Sequence, residues 1–533
     1  MNSRFEFQLL NLDDFLPPLV KDYLRQPDKL KDFFHYLPSP ESALNAMEWK
    51  KKNFPYRSLL AGRLKQQYAE VKSHPEMAIR QIEKLKSENT FTVTAGHQLN
   101  IFTGPLFFIY KLVSAIRLSE LLNKKFPECE FIPVYWMVSE DHDLAEINHF
   151  YFKGKRIEWN QHQPGIPCGR LTTEGLAGIA DTLLAEKTNN EPVKNLLLLF
   201  RECYALHKTL ASATREIVHR LFGKKGMIVI DADDPHLKSV LKPVIRDEMV
   251  NQSAYRLVSV TAEKIKLNYK AQVLPREINF FYLGNGIRER ILKTQNGFST
   301  HQTGKHFSMQ EMNEEIENRP WNFSPNVITR PLYQEMILPG IACTGGPAEI
   351  SYWLEYKSFF EHHGQRLPVL ILRDSFLWID KPVSLLIEKT GLKAPDFLTD
   401  ENNIIQKLIE KAGYKDLKLD REIKAVEELY EKLSAKISAV DASLAGSVMA
   451  EKQKALKGIE HLEMKLRKAL KQKEEVNLNR IRKIQQVLMP EGILQERRTN
   501  ILDTVSGDFF NLLYQYANPL QAGLKIIEEK INT

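Results

Sequence analysis

Apolar runs and helix-period stretches take turns along this chain, the pattern of strands interleaved with helices in a parallel sheet. The β-prone run Phe91-Thr92-Val93-Thr94 leads into Gly96-His97-Gln98-Leu99-Asn100-Ile101-Phe102-Thr103-Gly104-Pro105, and a helix is predicted from about Leu106 to Leu122. A second apolar run, Phe131 to Val138, ends in Ser139-Glu140-Asp141-His142-Asp143. Together these read as one βαβ unit. Gly226-Met227-Ile228-Val229-Ile230-Asp231, Ile341-Ala342-Cys343-Thr344 and Val369-Leu370-Ile371-Leu372 are further strands, apolar on both faces as a buried parallel sheet requires. After Asp234-Pro235 a single long helix is predicted from His236 to about Lys270. Residues 1–90 read as mostly helical, broken at Pro17-Pro18, Pro38-Ser39-Pro40, Pro55 and Pro75.

Two stretches interrupt the α/β pattern. Residues 151–222 open with a hairpin around Gly154 and continue into helices, which marks an insertion; residues 271–325 read as strand and loop. Further on, Ile423, Val426, Tyr430, Leu433, Ile437, Val440 and Leu444 alternate by three and four, the spacing of a coiled-coil seam. Ile459, Leu462, Leu466 and Ala469 restart the spacing after a turn at Asp441-Ala442-Ser443 or Gly446-Ser447, so an antiparallel helical hairpin is expected. Its second arm is rich in basic residues (Lys452, Lys454, Lys457, Lys465, Arg467, Lys468, Lys471, Lys473) and reads as a solvated face. The expected organisation is therefore N-terminal helices and the first half of an α/β core over 1–150, an inserted subdomain over 151–222, and the second half of the core over 223–385. A helical domain over 386–490 and a C-terminal segment, 491–533, packing back on the core complete it.

A length of 533 residues exceeds one ordinary core. Hydrophobic content of 43% and charged content of 26% fit a soluble globular protein, and a net charge of +7 spread over 74 basic and 67 acidic residues suits anionic ligands without requiring nucleic acid. The four cysteines, Cys129, Cys168, Cys203 and Cys343, form no CxxC pair, which argues against a disulfide framework or zinc finger and for a reducing cytoplasm. Neither a signal-peptide apolar region nor a membrane-spanning run is present in the sequence.

Candidate chemistry clusters at the predicted strand ends. His97 and Gln98 sit in a Gly-bounded loop between strand and helix, where backbone N–H groups and a helix N-terminus would meet an anion; the alternative is a loop histidine that caps the next helix. Glu140, Asp141, His142 and Asp143 put four titratable groups after a buried strand, suited to holding Mg²⁺, orienting an amine, or acting as a base; zinc through His142 and a solvated turn are the other readings. Thr344-Gly345-Gly346-Pro347-Ala348-Glu349 repeats the design of the first loop, and its helix carries Tyr352 and Trp353. Arg330, in Thr329-Arg330-Pro331-Leu332-Tyr333-Gln334-Glu335, is an anion partner, with Arg276, Arg288 and Arg373 as further candidates.

Five blocks, Gly96–Pro105, Trp136–Asn148, Gln272–Arg276, Arg330–Tyr352 and Leu494-Gln495-Glu496-Arg497, in order across nearly the whole chain, resemble the BshC family, the cysteine-adding ligases of bacillithiol biosynthesis. The resemblance implies an α/β fold with a Rossmann-like parallel-sheet core related to class I aminoacyl-tRNA synthetases, inserted connecting subdomains and an α-helical coiled-coil domain able to support a homodimer. Gly96-His97-Gln98-Leu99-Asn100 stands where such a synthetase carries a His-x-Gly-His signature, and no Lys-Met-Ser-Lys-Ser-like loop is found. The implied reaction is ATP-dependent amide formation between cysteine and glucosaminyl-malate in the cytoplasm, with Mg²⁺ as a potential companion of the nucleotide. On this reading His97, Asp141 and His142 are catalytic. Gln98, Asn100, Thr103 and Gly104 meet phosphate or adenylate, Glu140 and Asp143 hold the amino substrate or Mg²⁺, and Arg330, Gln334, Gly345, Gly346, Glu349 and Tyr352 complete the pocket. The partners are small molecules, with no nucleic acid and no membrane. The rival readings are a non-catalytic metabolite-binding scaffold that recruits a partner through its coiled coil, and an RNA-associated synthetase descendant.

Overall fold

The computed structural model describes residues 4–161, 163–186, 190–411, 419–473 and 475–530. The chain divides into two units: Gln8–Leu377 with Glu496–Ile526, and Trp378–Gln495 with the described residues at the two termini.

The larger unit is built on five parallel strands: β1 (Thr90–His97), β2 (Glu130–Met137), β3 (Ile228–Asp231), β4 (Gly340–Gly345) and β5 (Val369–Leu372). Their spatial order is β5-β4-β1-β2-β3. Phe91, Val93 and Ala95 lie on one face of β1 and Thr92 and Thr94 on the other, all buried, because helices cover both sides of the sheet. Helix α1 (Phe107–Lys125) connects β1 to β2 and buries Phe108, Ile109, Leu112, Val113 and Ile116. From β1 the chain builds outward through β2 and β3, then crosses back to place β4 on the other side of β1. The carboxyl ends of β1 and β4 thus flank a topological switch point, where open α/β sheets bind ligands.

The β2–β3 connection contains the expected hairpin, His149–Phe152 with Lys155–Glu158, turning at Lys153 and Gly154 (φ 50° and 73°), and the helices Leu176–Ala185, Glu191–Leu206 and Leu210–Phe222. The β3–β4 connection carries a five-stranded antiparallel sheet spanning Phe280–Pro325, then α2 (Thr329–Ile337); α3 (Pro347–Trp353) follows β4.

Two expectations are corrected. The helix predicted over 236–270 is three helices, Pro235–Lys238, Lys242–Asn251 and Ser253–Lys266. Gln252 breaks it by turning left-handed (φ 50°), and the buried Glu248 carboxylate accepts the N–H of Ala254 in the first turn of the third piece. The N-terminal region also holds a strand, Arg4–Leu10, neighbour to Leu524–Lys530; the alternation Phe5-Glu6-Phe7-Gln8-Leu9 is a period-two signal.

In the smaller unit, α4 (Asp420–Ser438) and α5 (Ala445–Lys473) form the antiparallel hairpin, with Lys452 3.4 Å from Glu431 across it. Ile423, Val426, Tyr430 and Ile437 are half-buried along the seam, whereas Leu433, Val440 and Leu444 are exposed, the last two lying beyond the end of α4. The side chains of Arg467, Lys471 and Lys473 fall outside the described residues. No described helix is long and apolar enough to cross a membrane.

Candidate active site

A cavity of about 1540 Å³ opens over the carboxyl ends of β1 and β4. Its floor is Gly96, His97 and Gln98 from β1 and its exit, with Phe107 and Lys111 of α1. One wall is the turn after β2 (Asp141, His142, Asp143, Glu146); another is the inserted sheet and its approach (Arg276, Phe281, Arg288, Arg290). The remaining wall comes from Arg330 of α2 and from Glu349 and Tyr352 of α3.

The hydrogen bonds fix what each floor residue can do. The Gln98 N–H donates to His97 Nδ1 (2.9 Å), so the proton of a neutral ring sits on Nε2. Burial first, then the charges of Lys111 and Arg373, hold His97 well below the usual imidazole pKa. It is a neutral donor wedged against Phe107 and Phe108, ring centroids 5.1 and 5.3 Å away. Gln98 Nε2 donates to Asp141 Oδ2 (2.6 Å) and Glu146 Oε2 (2.7 Å), gathering two carboxylates that would otherwise repel. Asp141 Oδ1 accepts the His142 N–H at 2.8 Å.

His142 follows the same logic. Arg288 Nη1 donates to His142 Nδ1 (3.0 Å), so this ring also presents Nε2–H, and burial followed by the Arg288 charge lowers its pKa. Arg288 is itself locked: Nε donates to Ser324 Oγ (2.9 Å), Nη2 to the Pro325 carbonyl (3.0 Å), and its guanidinium lies 3.8 Å from the Phe281 ring centroid. Lys111, the one cation inside the apolar stretch of α1, donates to the Gly96 carbonyl (2.8 Å) and to Glu349 Oε2. That same oxygen accepts the Gly346 N–H (2.8 Å) and caps α3. One ion pair therefore ties the end of β1 to the start of α3.

Charge around the cavity is divided. Lys111 is paired with Glu349, and Arg288 stands 3.8 Å from Asp141. Arg276 and Arg290 are exposed at the wall and have no carboxylate within ion-pair distance among the described residues. Burial, then the like charge of Arg290, lowers the pKa of Arg276.

Several expected site residues lie elsewhere, for physical reasons. Asn100, Thr103 and Gly104 do not line the cavity. Their turn is left-handed at Phe102, Thr103 and Gly104 (φ 49°, 66° and 58°), and the Asn100 side chain occupies the space beside Gly104. Protein groups already take its polar atoms. Asn500 Nδ2 donates to the carbonyls of Phe102 (2.9 Å) and Gly104 (2.7 Å), Phe102 N–H donates to Tyr204 Oη (2.7 Å), and Leu106 N–H to the Thr499 carbonyl (2.9 Å). The expected phosphate cradle is thus a closed structural turn. Glu140 points away from the cavity and pairs with Lys238, which also contacts Asp233 (2.9 Å), itself held by Arg170 at 2.7 and 2.9 Å. Burial pushes the Glu140 carboxyl up to about 7 against the pull of Lys238. Gln334 is buried and accepts from Arg330 Nη1 (3.0 Å), so it positions that arginine from behind. Gly345 and Gly346 shape the entry to α3 without forming cavity wall. Arg373 is buried in a bidentate pair with Glu496 (3.0 and 2.7 Å).

Lys111, Glu146 and Arg290 also line the cavity and were not singled out from sequence. Each had a signal: a lone lysine in Phe107-Phe108-Ile109-Tyr110-Lys111-Leu112-Val113, an acid three residues after Asp143, and a second arginine two residues after Arg288. All four cysteines are buried and unpaired. Burial raises all four thiols, those of Cys168, Cys203 and Cys343 to about 12.

Residues 6–374 match the family model described as "Bacillithiol biosynthesis BshC, N-terminal Rossmann-like domain", and residues 376–529 match "Bacillithiol biosynthesis BshC, C-terminal coiled-coil domain". The chain belongs to the BshC family. A relative in Flavobacterium johnsoniae, named "Putative cysteine ligase BshC", is 38% identical over 96% of this chain and 97% of its own length. Relatives of the same name in Christiangramia forsetii and Cytophaga hutchinsonii are each 36% identical, covering 96% and 97% of this chain and 97% and 98% of their own. The BshC-like blocks Gly96–Pro105, Trp136–Asn148, Gln272–Arg276 and Arg330–Tyr352 all contribute to the cavity, and Glu496 of the last block anchors Arg373.

Proposed function

We propose that this BshC-family chain is a carbon–nitrogen ligase that joins the carboxyl of cysteine to the amine of glucosaminyl-malate, with ATP as co-substrate, in the cytoplasm. The observation that carries the reading is the bipolar cavity. Arg276 and Arg290 are cations without a protein partner among the described residues, and Asp143 and Glu146 are carboxylates on the turn after β2. A malate group carries two carboxylates and fits the arginine wall, where a planar guanidinium accepts a carboxylate bidentately. An ammonium group fits the acidic turn.

Amide formation from a carboxylate and an amine is uphill in water, so the cysteine carboxyl must first be activated, as an adenylate or an acyl phosphate. The sugar amine then attacks the activated carbonyl, the new C–N bond forms, and AMP or phosphate departs. Negative charge develops on the carbonyl oxygen and the leaving group. The Nε2–H donor of His142, fixed by what its Nδ1 accepts, suits that charge, while the Nε2–H of His97 is covered and has no hydrogen-bond partner, so it joins in only where a bound group displaces its cover. Neither ring has a free basic nitrogen, so the proton lost by the amine goes to a carboxylate, Asp143 or Glu146. The same two carboxylates would hold Mg²⁺, which favours oxygen ligands and keeps several waters. Holding both substrates over one floor supplies much of the rate.

The proposal includes a homodimer through the α4–α5 hairpin, whose Leu429, Leu462 and Met464 are exposed; sedimentation equilibrium on the full chain reads its mass directly. The activity test is mass spectrometry of the purified protein with cysteine, glucosaminyl-malate and Mg²⁺, with and without ATP. Bacillithiol formed only with ATP is the expected outcome. No product with any nucleotide would overturn the ligase and favour a metabolite-binding scaffold.

A further inference from the structure

Away from the cavity, three metal-ligating side chains from two helices converge. Asp247 lies on the helix Lys242–Asn251, while His362 and His363 close the helix Lys357–His362. Successive residues on a helix point about 100° apart. These two rings meet because His363 has left the helix (φ −93°, ψ 18°). One oxygen, Asp247 Oδ2, faces both imidazoles, 3.1 Å from His362 Nε2 and 3.5 Å from His363 Nε2. All three ligand atoms fall within 4.8 Å of one another.

We propose that Asp247, His362 and His363 form a binding site for a divalent transition-metal ion, zinc in the first place, with the fourth position left to water. Ligands about 2.0–2.1 Å from a tetrahedral ion stand about 3.3 Å apart, and the separations of 3.1 and 3.5 Å bracket that edge. Two imidazole nitrogens and one carboxylate oxygen are the donors of Zn²⁺, whereas Mg²⁺ and Ca²⁺ take oxygen.

Two further observations support the assignment. His363 Nε2 is buried and makes no hydrogen bond, a deficit that a metal bond would remove. Asp247 is already oriented: its Oδ1 accepts Asn251 Nδ2 at 2.7 Å, leaving Oδ2 to the imidazoles, as supporting groups do around metal carboxylates. The His363 ring is held by Phe359 and His362, with centroids 5.0 and 4.9 Å away. An ion here would clamp two helices of the β3–β4 and β4–β5 connections together, apart from the proposed chemistry.

The test is a Zn²⁺ titration of the full chain, freed of any histidine tag, against a chromogenic chelator, with Co²⁺ absorption reporting the coordination geometry. One tight site per chain is expected, with tetrahedral Co²⁺ bands. Asp247→Asn and His363→Gln should each weaken it by about 100-fold or more, since each removes a ligand. His142→Gln in the cavity should leave it unchanged. If the Asp247 variant fails to fold, His362→Gln, at a ring partly open to solvent, carries the same expectation. No site tighter than the chelator, variants that titrate like the parent, or loss of the site in His142→Gln would each overturn the proposal.

Discussion

Replacing Asn500 by Ala tests whether the left-handed turn beneath the cavity floor is held in place from the far end of the chain. Asn500 is fully buried and makes three hydrogen bonds through its side chain. Two go from Nδ2 to the carbonyls of Phe102 and Gly104, at 2.9 and 2.7 Å, and one comes to Oδ1 from the Leu502 N–H at 3.0 Å. A neutral bond of this kind contributes about 1 kcal/mol net, and a buried group left without a partner costs about 1–3 kcal/mol. Truncation orphans two carbonyls and one N–H, so the loss should be about 3–5 kcal/mol. The bonds also hold Phe102 (φ 49°) and Thr103 (φ 66°) in a region that costs non-glycine residues of order 1 kcal/mol each. For a unit of this size the midpoint of thermal unfolding should fall by roughly 4–6 °C. Hydrogen–deuterium exchange in peptides covering 98–110 should accelerate at temperatures where the rest of the unit stays protected. Asn500→Asp sharpens the test. It keeps the acceptor for Leu502 but turns a carboxylate toward two carbonyls, so it should be worse than Ala. A midpoint within about 1 °C of the parent, with unchanged exchange across the turn, would refute the reasoning.

Arg276→Gln and Arg290→Gln should each raise the KM for the proposed substrate, glucosaminyl-malate, by about 10- to 150-fold, the effect of losing one charge-assisted bond worth about 1.5–3 kcal/mol. Neither should lower the melting midpoint, because both side chains are exposed; an unchanged KM would remove the anion role. Glu140→Gln should destabilise the fold by about 3 kcal/mol by depriving the buried Lys238 of one of its two acids, while folded protein keeps its turnover. Lost turnover in a fully folded variant would return Glu140 to the site. Burial raises the Glu355 carboxyl to about 7, although it accepts the N–H groups of Gln272 and Val273 at the cavity wall. The native state thus binds a proton that the unfolded chain has released, and Glu355 costs stability progressively as pH rises from about 4.5 to about 7. Glu355→Gln should therefore gain denaturant resistance relative to the parent at pH 8 over pH 5, and equal differences at the two pH values would contradict this.

The sheet was legible because its strands are apolar on both faces and β1, α1 and β2 follow one another without interruption. Hydrophobic period carries that information locally. What each polar group does is settled by partners far away in sequence. Glu140 and Asp141 are neighbours with the same charge, yet one turns into an ion cluster with Lys238 and Asp233 and the other into the cavity. Nothing within a few residues of either distinguishes them. The same holds for Gly104: its loop reads as an anion cradle until Asn500 is seen to occupy the carbonyls and Thr499 the Leu106 N–H. His97, Gln98, Asp141 and His142 were legible as cavity residues because they lie at strand ends, where topology alone converges side chains. Arg290 needed the pairing of the inserted sheet to bring it to the same wall as Arg276.

The buried cysteines have a consequence for the company this protein keeps. Mixed disulfides form through a thiolate, and a thiol whose pKa is about 12 is almost never ionised at neutral pH. Cys343 lies within β4, and the backbone of Cys168 donates to the Asp141 carbonyl at 2.6 Å, so two of these sulfurs sit close to the site. A catalyst bathed in cysteine and in oxidised small thiols would be capped there if either sulfur were reachable and charged. Enclosing them gives a protein whose thiols stay intact through swings in redox state, and on the proposed reaction that includes exposure to its own thiol substrate and product.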